Sequence, residues 1–215
     1  MKKLRHLILS TAAIASACCC AHSQTTAAGM LCRTPSPGMF LVDSLTCLDM
    51  LDYYRSGSDR PSASIIGGKA RVTGETPMKL SLRLGESSDY TIALLPASAD
   101  TVVAVIETLD LTVPDSNIRF YDMDWKPVSK PEKIFKEPEL KQWLTAEGAA
   151  NRTQVEEKLP FMMWTADYEP ETGLLTLTNT MDRYFHDDDR EMLKPLLKEQ
   201  ITFVWNGKSF APAKQ

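Results

Sequence analysis

Chemistry in this chain would have to come from a short roster of side chains. The stretch YFHDDDREM sets His186 directly before Asp187, Asp188 and Asp189. Imidazole and carboxylates together suit Zn, Mn or Ca. Adjacent residues cannot all turn toward one ion from a helix, however, and the calcium-loop spacing with its central Gly and terminal Glu is absent. The run reads better as a helix start. Asp187 or Asp188 would cap a helix beginning near Arg190, with acids in its first turn to suit the dipole. No metal site and no cofactor are expected.

Nucleophile chemistry has still less to draw on. The chain has no G-x-S-x-G elbow, no S-x-x-K with K-T-G, and no H-E-x-x-H. Beyond the N-terminal Cys18, Cys19 and Cys20, only Cys32 and Cys47 remain. They could pair across a short loop in an oxidising compartment, or simply pack as small apolar residues. IIGGKARV, with Gly67, Gly68 and Lys69, lacks the phosphate-loop spacing and leads into a strand, so it reads as a glycine turn. Paired carboxylates leave no fixed local motif, which keeps a glycosidase-like hydrolase open as the alternative function. No catalytic residue is singled out.

The aromatics are more suggestive. Phe120, Tyr121, Trp125, Trp164, Tyr168, Phe203, Trp205 and Phe210 all fall on strand-like runs or hairpin ends. Period two sends Phe120 to one face of its strand and Tyr121 to the other. An exposed row of Tyr121, Trp125, Trp164, Tyr168 and Trp205 is the candidate binding surface for a protein or glycan partner. The competing reading has helices covering the second face, with every ring in the core.

The elements that must position these rings can be read from periodicity. Residues 1–23 resemble an export signal. Lys2, Lys3 and Arg5 precede a short apolar run, and Ala21 and Ser23 precede Gln24 as a small-residue cleavage site. The rival reading makes Cys18 or Cys19 an acylated N-terminus, hence a lipid anchor. Either way the protein is expected to be exported, periplasmic or associated with the cell envelope. No later run is long enough for a transmembrane helix. Removing Lys2, Lys3 and Arg5 takes the formal charge from −4 to −7, which argues against a nucleic-acid partner.

Residues 24–38 are polar and Pro-punctuated, the pattern of a flexible arm. Residues 39–128 then read as a helix plus a first antiparallel sheet unit. In the helix, Leu45, Leu48, Leu51 and Tyr54 recur at helical spacing, with Asp43 or Ser44 as cap and Gly57 as stop. In the sheet, Met78, Leu80, Leu82 and Leu84 alternate with polar residues, and residues 69–128 form a five-stranded meander. Residues 129–159 read as a helical connection. Residues 160–215 are a second sheet unit with an inserted helix carrying Met192, Leu193, Leu196 and Leu197, and with Asn206-Gly207 as a hairpin turn. Ile118-x-Phe120 and Ile201-x-Phe203 open similar stretches, which suggests an internal duplication. The expected class is α+β, with antiparallel sheets and two or three packing helices.

With these segments placed, a resemblance can be stated. The runs LDMLDYYRSG, IIGGKARVTGETPMKLSLRLGESSDYTIALLP and SNIRFYDMDWKPV are similar to an uncharacterised family of exported proteins of Bacteroidales, over roughly residues 39–212. Its marks are an acidic helix, a glycine-led strand entry and an RFYDxxWxP-like strand. The resemblance implies a duplicated α+β arrangement and brings no activity, cofactor or catalytic residue.

The mass of the mature protein from its native host tests the leader. Cleavage before Gln24 gives an unmodified chain, whereas acylation at Cys18 or Cys19 gives a longer one carrying lipid. A chain that keeps Lys2, Lys3 and Arg5 would sink export.

Overall fold

The computed structural model describes residues 25–35, 40, 42–65, 68–98 and 100–213. The leader, its acylation sites and Gly67 lie outside the described residues. Among the described residues ten strands form two antiparallel sheets. The larger has the order β1-β2-β3-β4-β5-β6: β1 (Ser62–Ala63), β2 (Lys69–Glu75), β3 (Lys79–Leu84), β4 (Ser88–Pro96), β5 (Thr101–Leu109) and β6 (Asp115–Tyr121). The smaller has the order β10-β9-β8-β7: β7 (Trp164–Glu169), β8 (Leu174–Asn179), β9 (Gln200–Trp205) and β10 (Phe210–Pro212). The α+β class and the meander over 69–128 are thus present. Six α-helices occur among the described residues, more than the two or three expected: α1 (Ala27–Cys32), α2 (Ser44–Arg55), α3 (Leu140–Trp143), α4 (Ala146–Ala150), α5 (Arg152–Lys158) and α6 (Asp187–Leu193).

Alternation explains the layering. In the larger sheet Leu80, Leu82, Ile92, Leu94, Val103 and Val105 point to one side, where α1, α2, Phe40 and Val42 cover them. The intervening Ala93, Leu95, Ala104, Ile106 and Phe120 point to the other side. There they meet Trp164, Tyr168, Leu175, Leu177, Ile201 and Phe203 of the smaller sheet. β7 crosses that face from β6 toward β3. Its Ala166 N–H donates to Ser116 Oγ of β6 at 3.0 Å, and Asp167 and Glu169 near its far end hold Lys79 Nζ of β3 at 2.8 and 2.6 Å. Burial alone would pull the Lys79 pKa down, but its two carboxylates outweigh that and raise it.

Three sequence expectations are corrected here. The arm at 24–38 contains α1, which is capped by Thr26 and buries Ala27, Met30 and Leu31 against the sheet. Helix α2 starts at its expected cap, with Asp43 accepting from Thr46 N–H at 2.7 Å, but it buries Cys47, Met50 and Leu51. Leu45 and Leu48 are exposed at 75% and 52%, because Cys47 as well as the leucines can fill an apolar stripe. The inserted helix begins at Asp187 with His186 at its N-cap position, and ends at Leu193. Lys194–Leu196 then tighten into a 3-10 turn around Pro195, which cannot supply a helical hydrogen bond.

The turn after β6 holds α1 in place. Trp125 sits at φ 62°, a left-handed conformation unfavourable for a bulky residue. Its indole is buried against Phe40 and Tyr121, and its Nε1 donates to Met30 O at 3.1 Å. Burial and that bond offset the backbone cost. Replacing Trp125 by Ala should lower stability by about 3–5 kcal/mol, as for other buried large aromatics, read as a shifted urea midpoint. An unchanged midpoint would show that α1 does not depend on this ring.

Candidate functional site

The five ring positions expected to form a binding surface do not share an exposed patch. Tyr121 and Trp125 lie in the layer between the larger sheet and α1 and α2, exposed at 7% and 5%. Trp164 and Tyr168 point from β7 into the layer between the sheets, and Tyr168 is 1% exposed. Trp205 is half-buried against Phe210, and its Nε1 donates to Pro96 O at 2.6 Å. The covered faces account for this: α1 and Phe40 close over Tyr121, while Phe135 packs edge-on against Trp164, Phe203 and Phe210. Val204, on the outer face of the smaller sheet, is the residue left at the surface.

The exposed aromatics are others: Tyr54 on α2, and the pair Phe161 and Tyr184. Phe161 and Tyr184 are 47% and 48% exposed and meet edge-to-face, with ring centroids 5.3 Å apart. Tyr184 also packs on Phe185. Phe185 lines a cleft of about 270 Å³ on the outer side of the smaller sheet. Thr178, Asn179 and Gln200 form its sheet side, and α6 with the following 3-10 turn forms the opposite wall. Phe185, Leu193 and Leu197 give it an apolar floor, while Asp182, Glu199 and Lys194 put both signs of charge around it.

Local bonding explains why the cleft holds its shape. Arg190 spans its end, with Nε donating to Asp182 O, one Nη to Phe185 O and the other to the Asp187 carboxylate. Thr145 N–H and hydroxyl donate to Leu196 O and Pro195 O, tying α4 to the 3-10 turn. Gly148 permits that approach, since a Cβ there would stand 2.0 Å from Leu196 O. Sequence reasoning made Asp187 or Asp188 the cap of a helix from near Arg190, whereas the helix starts at Asp187 and His186 takes the cap position with no side-chain bond. It passed over Phe161 and Tyr184. Both sit between regular elements, where period gives no direction to a side chain.

The other sequence candidates fall elsewhere. Cys32 and Cys47 are free thiols at the contact of α1 and α2, and burial pushes the Cys47 thiol up to about 12. Gly68 N–H donates to Ser64 Oγ in the turn before β2. Among the described residues, no three His, Cys, Asp or Glu side chains group as a metal site. No helix among them is long and apolar enough to cross a membrane.

This geometry can be set beside known proteins. A family model described as "Protein of unknown function (DUF3256)" matches residues 22–210. The chain belongs to that family. The resemblance implies an uncharacterised family of Bacteroidales, and a match to a family of unknown function agrees with it at that level. No curated protein matches. A solved domain of an uncharacterized protein from Porphyromonas gingivalis W83 is similar at a TM-score of 0.72 and 17% identity, over 86% of this chain and 97% of that one. At that identity the likeness concerns the fold. The fold described above is therefore shared with that domain.

Inside the core, Tyr168 OH has no hydrogen-bond partner. Removing an unpaired buried hydroxyl removes a desolvation cost. Tyr168→Phe should leave stability unchanged or raise it by up to about 1 kcal/mol, whereas Tyr168→Ala should cost about 3–5 kcal/mol. A clear loss on Tyr168→Phe in calorimetry would mean that the hydroxyl is bonded, for example to an internal water.

Proposed function

We propose that this protein is an exported, non-catalytic binding protein of the periplasm or cell envelope, taking a protein or glycan partner. The observation that carries the binding reading is the cleft beside α6. An apolar floor with a few polar groups around it is the usual make-up of a recognition site. The exposed Phe161–Tyr184 pair meets the cleft-lining Phe185 through Tyr184 and offers aromatic surface of the kind used against sugar rings and apolar side chains. Export rests on the basic and apolar N-terminal residues, with a lipid anchor at Cys18 or Cys19 as the rival to plain cleavage. The same reading takes the RFYDxxWxP-like stretch as a family mark, because the turn it encodes places Trp125 over α1. It also takes the two meanders as copies, since Phe120 and Phe203 enter one shared layer.

The alternative, a carboxylate-based hydrolase, is favoured by one feature: Asp182 and Glu199 line the same cleft. Ligand-observed NMR with short glycans and short peptides separates the readings. A binding protein should give a saturable ligand whose affinity falls about tenfold on Tyr184→Ala or Lys194→Glu, with no turnover. It should keep that ligand in Asp182→Asn and Glu199→Gln. Hydrolysis that both carboxylate variants abolish would establish the enzyme instead.

A further inference from the structure

A second site lies at the edge of the larger sheet and shares no lining residue with the cleft beside α6. Strand β1 pairs with β2 only through Ser62 with Ala70 and Ala63 with Lys69. Continuing that register would set Pro61 opposite Arg71, and proline has no N–H to continue the ladder. The chain before β1 therefore parts from β2, and among the described residues no strand neighbours 71–75 on that side, where β2 also carries a bulge between Val72 and Gly74. A cleft of about 340 Å³ opens there, on the α2 side of the sheet, lined by Tyr53, Tyr54, Asp59, Arg60, Arg71 and Thr73 among others. On the other side of the same strand lies a shallower cleft of about 470 Å³, where Arg71 and Thr73 meet Ser81, Arg83, Asp89 and Thr91. β2 is the partition between them.

The charges of this margin run against those of the whole chain. The protein is formally −4, yet Arg60, Lys69 and Arg71 cluster along β2 and its approach. Their neighbours are compensated: Arg55 bonds Glu75, and Arg83 bonds Asp89 and lies 3.4 Å from Asp110. Among the described residues Arg60 and Arg71 form no ion pair, and Arg60 instead rests over the Tyr53 ring at 5.4 Å. Arg71 also stands directly opposite Arg83 in the ladder, a like-charge pair whose cost is eased by Asp89, which bonds Arg83 and lines the same cleft as Arg71. Among the described residues Asp59 is the single carboxylate lining the α2-side cleft.

An open strand edge with cations on it discourages pairing with neutral or basic strands. The same cations favour an acidic one, which they would neutralise. A strand added to such an edge sends alternate side chains to the two sides of the sheet, and here a cleft waits on each side. We propose that the free edge of β2, residues 71–75, is a docking site for an extended acidic peptide of a partner protein. The peptide adds as a strand, its alternate acidic side chains reaching Arg60 on one side and Arg71 on the other.

Fluorescence anisotropy on the mature chain tests this with a labelled peptide of alternating Glu and Thr. Two controls accompany it: alternating Lys and Thr, and the acidic peptide with a central Pro. The acidic peptide should bind, weaken as salt rises, and lose about tenfold or more in affinity to Arg60→Glu or Arg71→Glu. Lys208→Glu, in the distant β9–β10 turn, should bind normally, and circular dichroism should show all variants folded. The Pro-containing peptide should bind clearly more weakly. Equal binding by the two Arg variants would overturn the site, and equal binding of the Pro peptide would overturn strand addition. Self-association in sedimentation that Arg71→Glu abolishes would make the occupant a second copy, and would overturn the acidic partner.

Discussion

Strands β4 and β5 are buried on both faces, and the rest of the molecule is arranged around that demand. Ile92 and Leu94 need a cover on one side, Ala93 and Leu95 on the other. Each cover has a different make-up. On the first side, α1, α2 and Phe40 lie over a leucine-rich surface. On the second, the residues of β4 and β5 include Ala93 and Ala104, small enough to leave room for the rings of Phe120, Trp164 and Tyr168. Small residues facing large ones across a layer is what dense packing requires. The crossing of β7 follows, because the smaller sheet covers only the part of the larger one that is apolar. Where the covered face turns polar, at Arg71, Ser81, Arg83 and Thr91, the smaller sheet stops and a cleft remains.

The sheet margins show how the fold handles unpaired backbone. β10 is three residues long and ends at Pro212. β6 is shielded where the chain returns, with Val128 N–H donating to Phe120 O. On β7 the outward N–H groups of Trp164 and Ala166 are taken by Asp115 and Ser116 side chains. Short strands, proline and side-chain capping are familiar means of blunting an edge. β2 differs, since over residues 71–75 its protection is charge together with a bulge between Val72 and Gly74. Charge is a selective barrier where proline is an absolute one.

The strands of the larger sheet were legible in the sequence because period two is a local property. Leu80, Leu82 and Leu84 alternate, and all three are core. Which face receives a cover is not local. Phe120 and Tyr121 look alike in sequence, and both are buried, but by different partners more than fifty residues apart in the chain: the smaller sheet for one, α1 and Phe40 for the other. Helix α1 was hidden by its composition, since Ala27, Ala28 and Gly29 give little apolar signal while fitting a tight contact. In α2 the leucines misled, as Cys47 and Met50 turned inward. The cleft beside α6 drew no sequence signal, being assembled from a 3-10 turn, a sheet face and a loop.

The bond from Trp125 to Met30 joins residues 95 positions apart. A chain emerging from its N-terminus makes α1 first, yet the ring that secures it comes only after β6. Until then α1 has neither its hydrogen-bond donor nor a finished sheet to lie on, and at six residues it is too short to persist alone. Closure of that layer is thus a late, long-range event in folding, paid for with loop entropy before any contact rewards it. During that interval the apolar face of β2 to β5 stands open to other chains.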